Sequence, residues 1–391
     1  MSTLTTVWRG KDGGSSLNAR ELTLVSKTLL KLQRGLTGDR LLAGKDYMQD
    51  KEILGAYLLY YWPSSYMQIC RAFSFLEDNS ADFSGKVSIL DVGSGPAPAS
   101  VALCDCIKSI SSVPVEFDVT LLDSSEKALS CGKKIFEKDL PDVNVRVQTA
   151  SLEKGDFLAA DRKFNVIVMS HALNELWKNL PPEQSAENRV RLLESLCALL
   201  SDGGLLFLCE PALLSSSRAL IGAVQNLLEV DTVGMSALAP CLGGGMSCPA
   251  LKAGASCTCH ADFIWNLPPL VKALAENAGL SREHVKMTFF ILRKSGSPAE
   301  SKAGCQENPD DFVYRVVSEP MLNKGGRVRY LICDGKDRFP FSARKDDAHA
   351  REIGFFDLKR YDKILLKDAQ PRGDGERAAL GVSEKTKITL L

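Results

Sequence analysis

One segment restricts the fold of this chain more than any other: an apolar run that reaches an acid and then breaks into glycines, Val87-Ser-Ile-Leu-Asp-Val-Gly-Ser-Gly-Pro-Ala97. A buried strand followed by a tight turn and a helix is the opening unit of a parallel α/β sheet. The alternation continues downstream, with short apolar runs near Val87 to Val92, Val115 to Leu122, Val143 to Gln148, Phe164 to Met169, Leu205 to Cys209 and Met287 to Leu292, separated by stretches of helical periodicity. Strands that read as apolar throughout are covered on both faces, so residues 81–295 are expected to form a doubly wound α/β domain. Before it, Leu22, Val25, Leu29 and Leu32 recur at helical spacing behind Asn18-Ala-Arg-Glu21, a capping-box spacing. Ala56-Tyr-Leu-Leu-Tyr-Tyr-Trp-Pro63 continues this helical region, taken as residues 1–80, and its aromatics are expected mainly to pack against the next domain. Ser295 to Asp310 reads as a linker, and the runs at Tyr314, Val328 and Lys387 between glycine-rich turns predict a small β domain over 311–391.

The turn itself departs from the dinucleotide fingerprint G-x-G-x-x-G. The third glycine is missing, and Pro96 and Pro98 stiffen the loop, which disfavours pyrophosphate. An acid at a strand end followed by G-x-G suits S-adenosyl-L-methionine, whose ammonium wants a carboxylate nearby and whose bulk needs close backbone approach. Asp91, Gly93, Ser94 and Gly95 are therefore candidate cofactor residues. Asp123, ending the second strand, is placed to accept the ribose hydroxyls or else to cap the helix near Ser124. Ser151 after the third strand is a candidate adenine neighbour, and His171 after the fourth a cofactor-lining group or general base. Ser170-His-Ala-Leu-Asn-Glu-Leu176 contains neither the Asn/Asp-Pro-Pro-aromatic loop of enzymes that methylate base amines nor the cysteine nucleophile of those that methylate cytosine carbon, so no catalytic residue is assigned. Glu210-Pro211 either reaches the site or ends its strand.

A second cluster follows. Cys241, Cys248, Cys257 and Cys259 stand among glycines and small residues in an insertion spanning 236–262, a composition that lets backbone curl around a metal with its amides aimed at sulfur. No C-x-x-C knuckle is present, so an iron-sulfur cluster leads and zinc is the alternative. The fourth ligand need not be local, and Cys333 is a candidate from the C-terminal part.

Twelve cysteines without a secretory leader or membrane span favour ligands or core thiols over disulfides. The compartment read from this is the cytoplasm, with the mitochondrial matrix as alternative because Arg9, Lys11 and Arg20 precede with a single acid, Asp12. Zero formal net charge excludes a chain-wide attraction to membrane or DNA, neither of which is expected as a partner, while a mild basic excess beyond Tyr314 permits RNA contact.

Taken together, Ala56-Tyr57 through Pro63 and Tyr66, Leu90 to Ala97, Ser170 to Leu176, Glu210-Pro211, Ala239-Pro-Cys241, Cys248-Pro249 and Cys259-His260 resemble the methyltransferase-like family of ribosomal small-subunit assembly proteins found in mitochondria and bacteria. The resemblance covers nearly the whole chain. It implies a class I methyltransferase, Rossmann-like α/β fold with an N-terminal helical region, a cysteine-rich insertion and a small C-terminal β domain. It also implies engagement of the small ribosomal subunit and its rRNA, and a 4Fe-4S cluster on Cys241, Cys248, Cys259 and Cys333, with Cys257 competing for the third position. Where the family has Pro-His after its first cysteine, Leu242-Gly243 stand here, and Ala212 replaces a glycine after Glu-Pro. Two further readings stay open: a non-catalytic assembly factor, and a zinc-stapled small-molecule methyltransferase.

Overall fold

The computed structural model describes residues 1–12, 14–42, 47–76, 83–155, 162–230, 233–243, 247–295, 312–372 and 379–391. Its larger sheet contains eight strands: β1 (Lys86–Val92), β2 (Glu116–Asp123), β3 (Asn144–Thr149), β4 (Phe164–Ser170), β5 (Leu200–Pro211), β6 (Met235–Ala239), β7 (Ala261–Ile264) and β8 (His284–Lys294). Their order is β3-β2-β1-β4-β5-β8-β6, with β7 also on β8. The first five strands run parallel, whereas β8 lies antiparallel to β5. This is the Rossmann-like sheet of a class I methyltransferase fold, as expected. The period-two geometry of a strand explains why its sequence is apolar throughout: Val87 and Ile89 of β1 enter one core with Phe117, Val119 and Val166, while Leu90 and Val92 enter another with Leu122, Ile167 and Met169. All six expected strands are present, with β5 and β8 longer than read from sequence. Strands β6 and β7 were not foreseen; they bracket the cysteine insertion and fasten both its ends to β8.

The helical region packs on the first of these cores. Asn18 and Glu21 form the anticipated capping box, each side chain bonding the other's backbone nitrogen at 2.9 Å. Its helix, Ala19–Gln33, buries Val25, Leu29 and Leu32. The chain does not open with it, however: a further helix, Ser2–Arg9, precedes it and bonds Thr3 to Asp139 across the molecule. Tyr57–Tyr61 forms a π-helical turn whose Leu58, Leu59 and Tyr60 are buried. Trp62 begins the next helix, Trp62–Phe73, and donates from Nε1 to the Pro96 carbonyl at 2.9 Å, tying this layer to the glycine turn.

The last part forms a second eight-stranded sheet with its own core, in which Phe355 meets Tyr330 and Phe341 edge-on. Tyr361 leaves it and enters the first core against Phe75 and Phe289. Apart from Ser295, the anticipated linker lies outside the described residues. Among the described residues no helix is long and apolar enough to cross a membrane. Replacing Trp62 by Phe leaves the buried Pro96 carbonyl without its donor and is expected to cost about 1–3 kcal/mol. The measurement is the urea midpoint; an unchanged midpoint would mean the turn is held by other contacts.

Candidate functional site

At the carboxyl ends of β1, β2 and β4 lies a cavity of about 400 Å³. Asp91, Gly93, Ser94, Gly95, Asp123, Ser151 and His171, the seven residues singled out in the sequence, all line it. Gly93 (φ +68°) and Gly95 (φ +51°) adopt the left-handed backbone that glycine tolerates. The amides of Gly93 and Ser94 both donate to the Leu122 carbonyl, and a Cβ on Gly93 would sit 2.5 Å from that of Ala172, so a side chain there would close the floor of the cavity. Asp123 takes the Gly95 amide on one oxygen and the Ser125 amide on the other, each at 2.8 Å. It therefore shapes the turn and faces the cavity at once, while Ser125 caps the following helix through Ala128. Asp91 is 1% exposed and accepts from the Ser100 amide; burial raises its carboxyl to about 7 against the pull of Ser100.

The far side of the cavity was not legible in the sequence. Tyr47, Met48, Tyr57, Tyr61 and Gln68 of the helical region cover it, and Arg282 comes from the approach to β8. The aromatic run at Tyr57 was the available signal: its Tyr57 and Tyr61 stack with each other at 5.9 Å and face the cavity, while the intervening residues pack inward. Gln68 donates to the Lys286 carbonyl through Nε2, which leaves Oε1 to accept from His171 Nε2 at 2.6 Å and fixes the tautomer. His171 has φ +60°, and burial followed by the charge of Arg282 brings its pKa down to about 4, so the imidazole is neutral at pH 7.

Glu210 does not line the cavity. It lies beneath the loop after β4, 1% exposed, accepting from the Asn174 amide at 3.1 Å and from Asn174 Nδ2 at 2.6 Å. Asn174 Oδ1 in turn accepts from Arg40 at 2.7 Å, so a buried acid from β5 holds the loop against the helical region. Burial lifts Glu210 to about 8, opposed by the Asn174 bonds and helped by Glu175.

Cys241 has Cys259, Cys248 and Cys333 as electrostatic neighbours. Among the described residues no set of three or more His, Cys, Asp or Glu side chains stands at metal-ligating separation. Even so, burial first, and then the neighbouring thiols Cys259, Cys248 and Cys333, raise Cys241 well above the ordinary thiol value. Burial also pushes Cys333 up to about 12. Cys333 Sγ accepts the Gly335 amide at 3.4 Å, and burial raises Cys248 against the pull of the neighbouring Ala250 and Leu251 amides. The Cys257 carbonyl accepts from Arg218 at 2.7 Å. Where the loops at Gly243 and Gly335 meet, only glycine fits, since a Cβ on Gly243 would lie 2.8 Å from the Gly335 carbonyl oxygen. Arg315, Arg338 and Arg360 donate to the carbonyls of Pro240, Thr258 and His260, and Tyr361 Oη lies 3.2 Å from Cys259 Sγ. Burial and mutual repulsion favour the protonated thiols here, while Arg315 beside Cys241 and Arg338 beside Cys333 pull towards thiolate, and Thr258 Oγ1 and His260 Nδ1 are buried with no partner among the described residues.

Compared with known proteins, residues 51–343 match the family model described as mitochondrial small ribosomal subunit Rsm22. No curated protein matches the chain. Among solved structures, a putative class I S-adenosylmethionine-dependent methyltransferase from Listeria monocytogenes is similar at 12% identity, covering 75% of this chain and 79% of its own, with a TM-score of 0.37. A methyltransferase from Pyrococcus furiosus matches at 14% identity over 58% of this chain and 83% of its own, TM-score 0.33. A putative RNA methyltransferase from Pyrococcus horikoshii matches at 7% over 60% and 85%, TM-score 0.34.

With its carboxyl raised in the folded protein from 4.5 to about 8, Glu210 binds a proton in the native state that the unfolded chain has released across that interval. Stability from this group is full below about pH 4.5 and is lost as pH rises through about 8. Glu210→Gln is expected to flatten the decline, measured as the urea midpoint at about pH 5, 7 and 9. A slope equal to the wild type's would mean that Glu210 ionises freely in place.

Proposed function

The chain belongs to the mitochondrial small ribosomal subunit Rsm22 family, and on that premise we propose that it binds S-adenosyl-L-methionine and carries a 4Fe-4S cluster while engaging the RNA of the small ribosomal subunit. The observation that supports the cofactor reading best is the convergence of residues from three strand ends on one cavity that also has a tyrosine-lined side. Bound there, the cofactor supplies an electrophilic methyl group. Asp91 and Asp123 offer carboxylate oxygens to an ammonium and to ribose hydroxyls, Gly93 and Gly95 let the backbone approach closely, and Ser151 stands beside the remaining wall. Tyr57 and Tyr61 exclude water from one side, and His171, held neutral by its surroundings, contributes no competing positive charge next to a sulfonium. Methyl transfer in such a site works by proximity, with an acceptor aligned at the β4 end. A protein that only grips RNA with the cofactor as a structural ligand would keep the same contacts.

Cys241, Cys248, Cys259 and Cys333 are the residues that would hold the cluster, with Arg315 and Arg338 offsetting its negative charge. Such a centre would join the insertion to the C-terminal sheet. The family's description speaks for the mitochondrial matrix, the second of the two compartments read from the sequence.

Calorimetry with S-adenosyl-L-methionine should give saturable heat for the wild type and roughly tenfold or weaker binding for Asp123→Ala, which loses charge-assisted bonds. No heat from the wild type would remove the cofactor. Anaerobically purified protein should be brown and contain iron and sulfide, both lost in Cys333→Ser, whereas a colourless protein containing zinc would replace the cluster by the alternative metal. Label passed from cofactor to RNA of unmodified small subunits would mark an enzyme, and its persistent absence a binder.

A further inference from the structure

A second cavity, of about 370 Å³, adjoins the first and shares Gln68, Arg282 and Lys286 with it; Ser64, Ser281, His284 and Val285 complete its wall. Because β8 runs antiparallel to β5, with Met287 opposite Pro211, residues 281–286 stand at the same end of the sheet as the carboxyl ends of β4 and β5. That is the side from which an acceptor must approach a nucleoside cofactor seated over β1 and β2. Gln68 is the partition, with one amide group on His171 and the other on the Lys286 carbonyl.

The wall offers donors and cations. Arg282 gives Nη2 to Ser64 Oγ at 2.6 Å and lies over the rings of Tyr61 and Tyr60 at 5.1 and 5.4 Å. It has no carboxylate partner among the described residues, and its Nε is buried without an acceptor. Lys286 and His284 share a single acid outside the cavity, Asp262, at 3.0 and 2.6 Å. Of the two permanent cations, Lys286 alone has a carboxylate at hand among the described residues, and Ser64 and Ser281 add hydroxyls. Guanidinium, ammonium and hydroxyl donors arranged around a roomy opening match the oxygens of a phosphodiester.

We propose that this second cavity is an anion subsite that takes a backbone phosphate of a single-stranded RNA segment and thereby presents the neighbouring nucleotide to the cofactor cavity. The assignment rests on the adenosylmethionine reading for its purpose, and on Arg282, Lys286 and the serines for its chemistry. It explains why an arginine is kept against tyrosine rings at the cavity junction instead of being paired with an acid.

The test is fluorescence anisotropy with a labelled single-stranded RNA of about 12 nucleotides, titrated over a range of salt. Lys286→Gln and Arg282→Gln are each expected to weaken binding about tenfold and to make the salt dependence shallower by about 0.7 per lost phosphate contact. Lys286, whose side chain is 54% exposed, can be changed without disturbing the core, so the result stands even where Arg282→Gln misfolds. A Lys286→Gln protein with wild-type affinity and salt slope overturns the proposal, as does equal wild-type affinity for the same strand with an uncharged methylphosphonate backbone. Binding of inorganic phosphate with no binding of RNA overturns the strand assignment in favour of a small free anion. Calorimetry of the wild type with S-adenosylhomocysteine is read separately: silence there removes the cofactor reading, while the anion subsite stands or falls on the anisotropy.

Discussion

Three guanidinium groups of the C-terminal part, two on its sheet and one in a turn beside it, clasping three carbonyls of the cysteine insertion are the contact on which the rest of this arrangement hangs. Among the described residues between β6 and β7 the short helix Pro249–Lys252 is the regular element, so the carbonyls there need donors from elsewhere. Arg315, Arg338 and Arg360 supply them, and Arg218 supplies two more from the helix Leu214–Glu229. Hydrogen bonds from charged donors contribute about 1.5–3 kcal/mol each, more than neutral ones. The same arginines bring positive charge to the thiols, so one set of side chains both shapes the loop and favours the ionised sulfur that a metal requires.

The cavity at the strand ends carries charges of both signs. Asp91 and Asp123 stand over β1 and β2 and Glu153 and Glu175 follow β3 and β4, while the cations Arg282 and Lys286 stand towards β8. Burial works against the carboxylates, which is why Asp91 and Glu210 both carry raised pKa values and depend on backbone amides and Asn174 for compensation. A ligand with a positive head and an acceptor with a negative tail are the partners that such a distribution of charge suits.

The strand-turn from Val87 to Ala97 was readable because period-two burial on both faces and the glycine φ requirement each leave a local mark. Asp91, Gly93, Gly95 and Asp123 share that legibility, since each sits at a strand end whose position follows from the apolar pattern. Gln68, Tyr47 and Arg282 do not: they reach the cavity through packing between segments far apart in the chain, as the 2.6 Å bond from residue 68 to residue 171 illustrates. Glu210 was visible as an acid at a strand end, yet only the fold reveals that it points beneath the loop at Asn174 and away from the cavity. Strands β6 and β7 escaped notice because their runs of five and four residues are short and are stabilised by β8, which lies later in the chain.

The glycine-to-glycine touch between residues 243 and 335 bears on how the molecule is made. A polypeptide emerges from its amino end, so the insertion is extruded with its sulfurs uncovered, and the hairpin that closes it arrives only after β8 and the stretch beyond have been translated. The contact between the insertion and the hairpin therefore forms only in a finished chain, and products shortened before residue 335 would keep the insertion's thiols uncovered on that side.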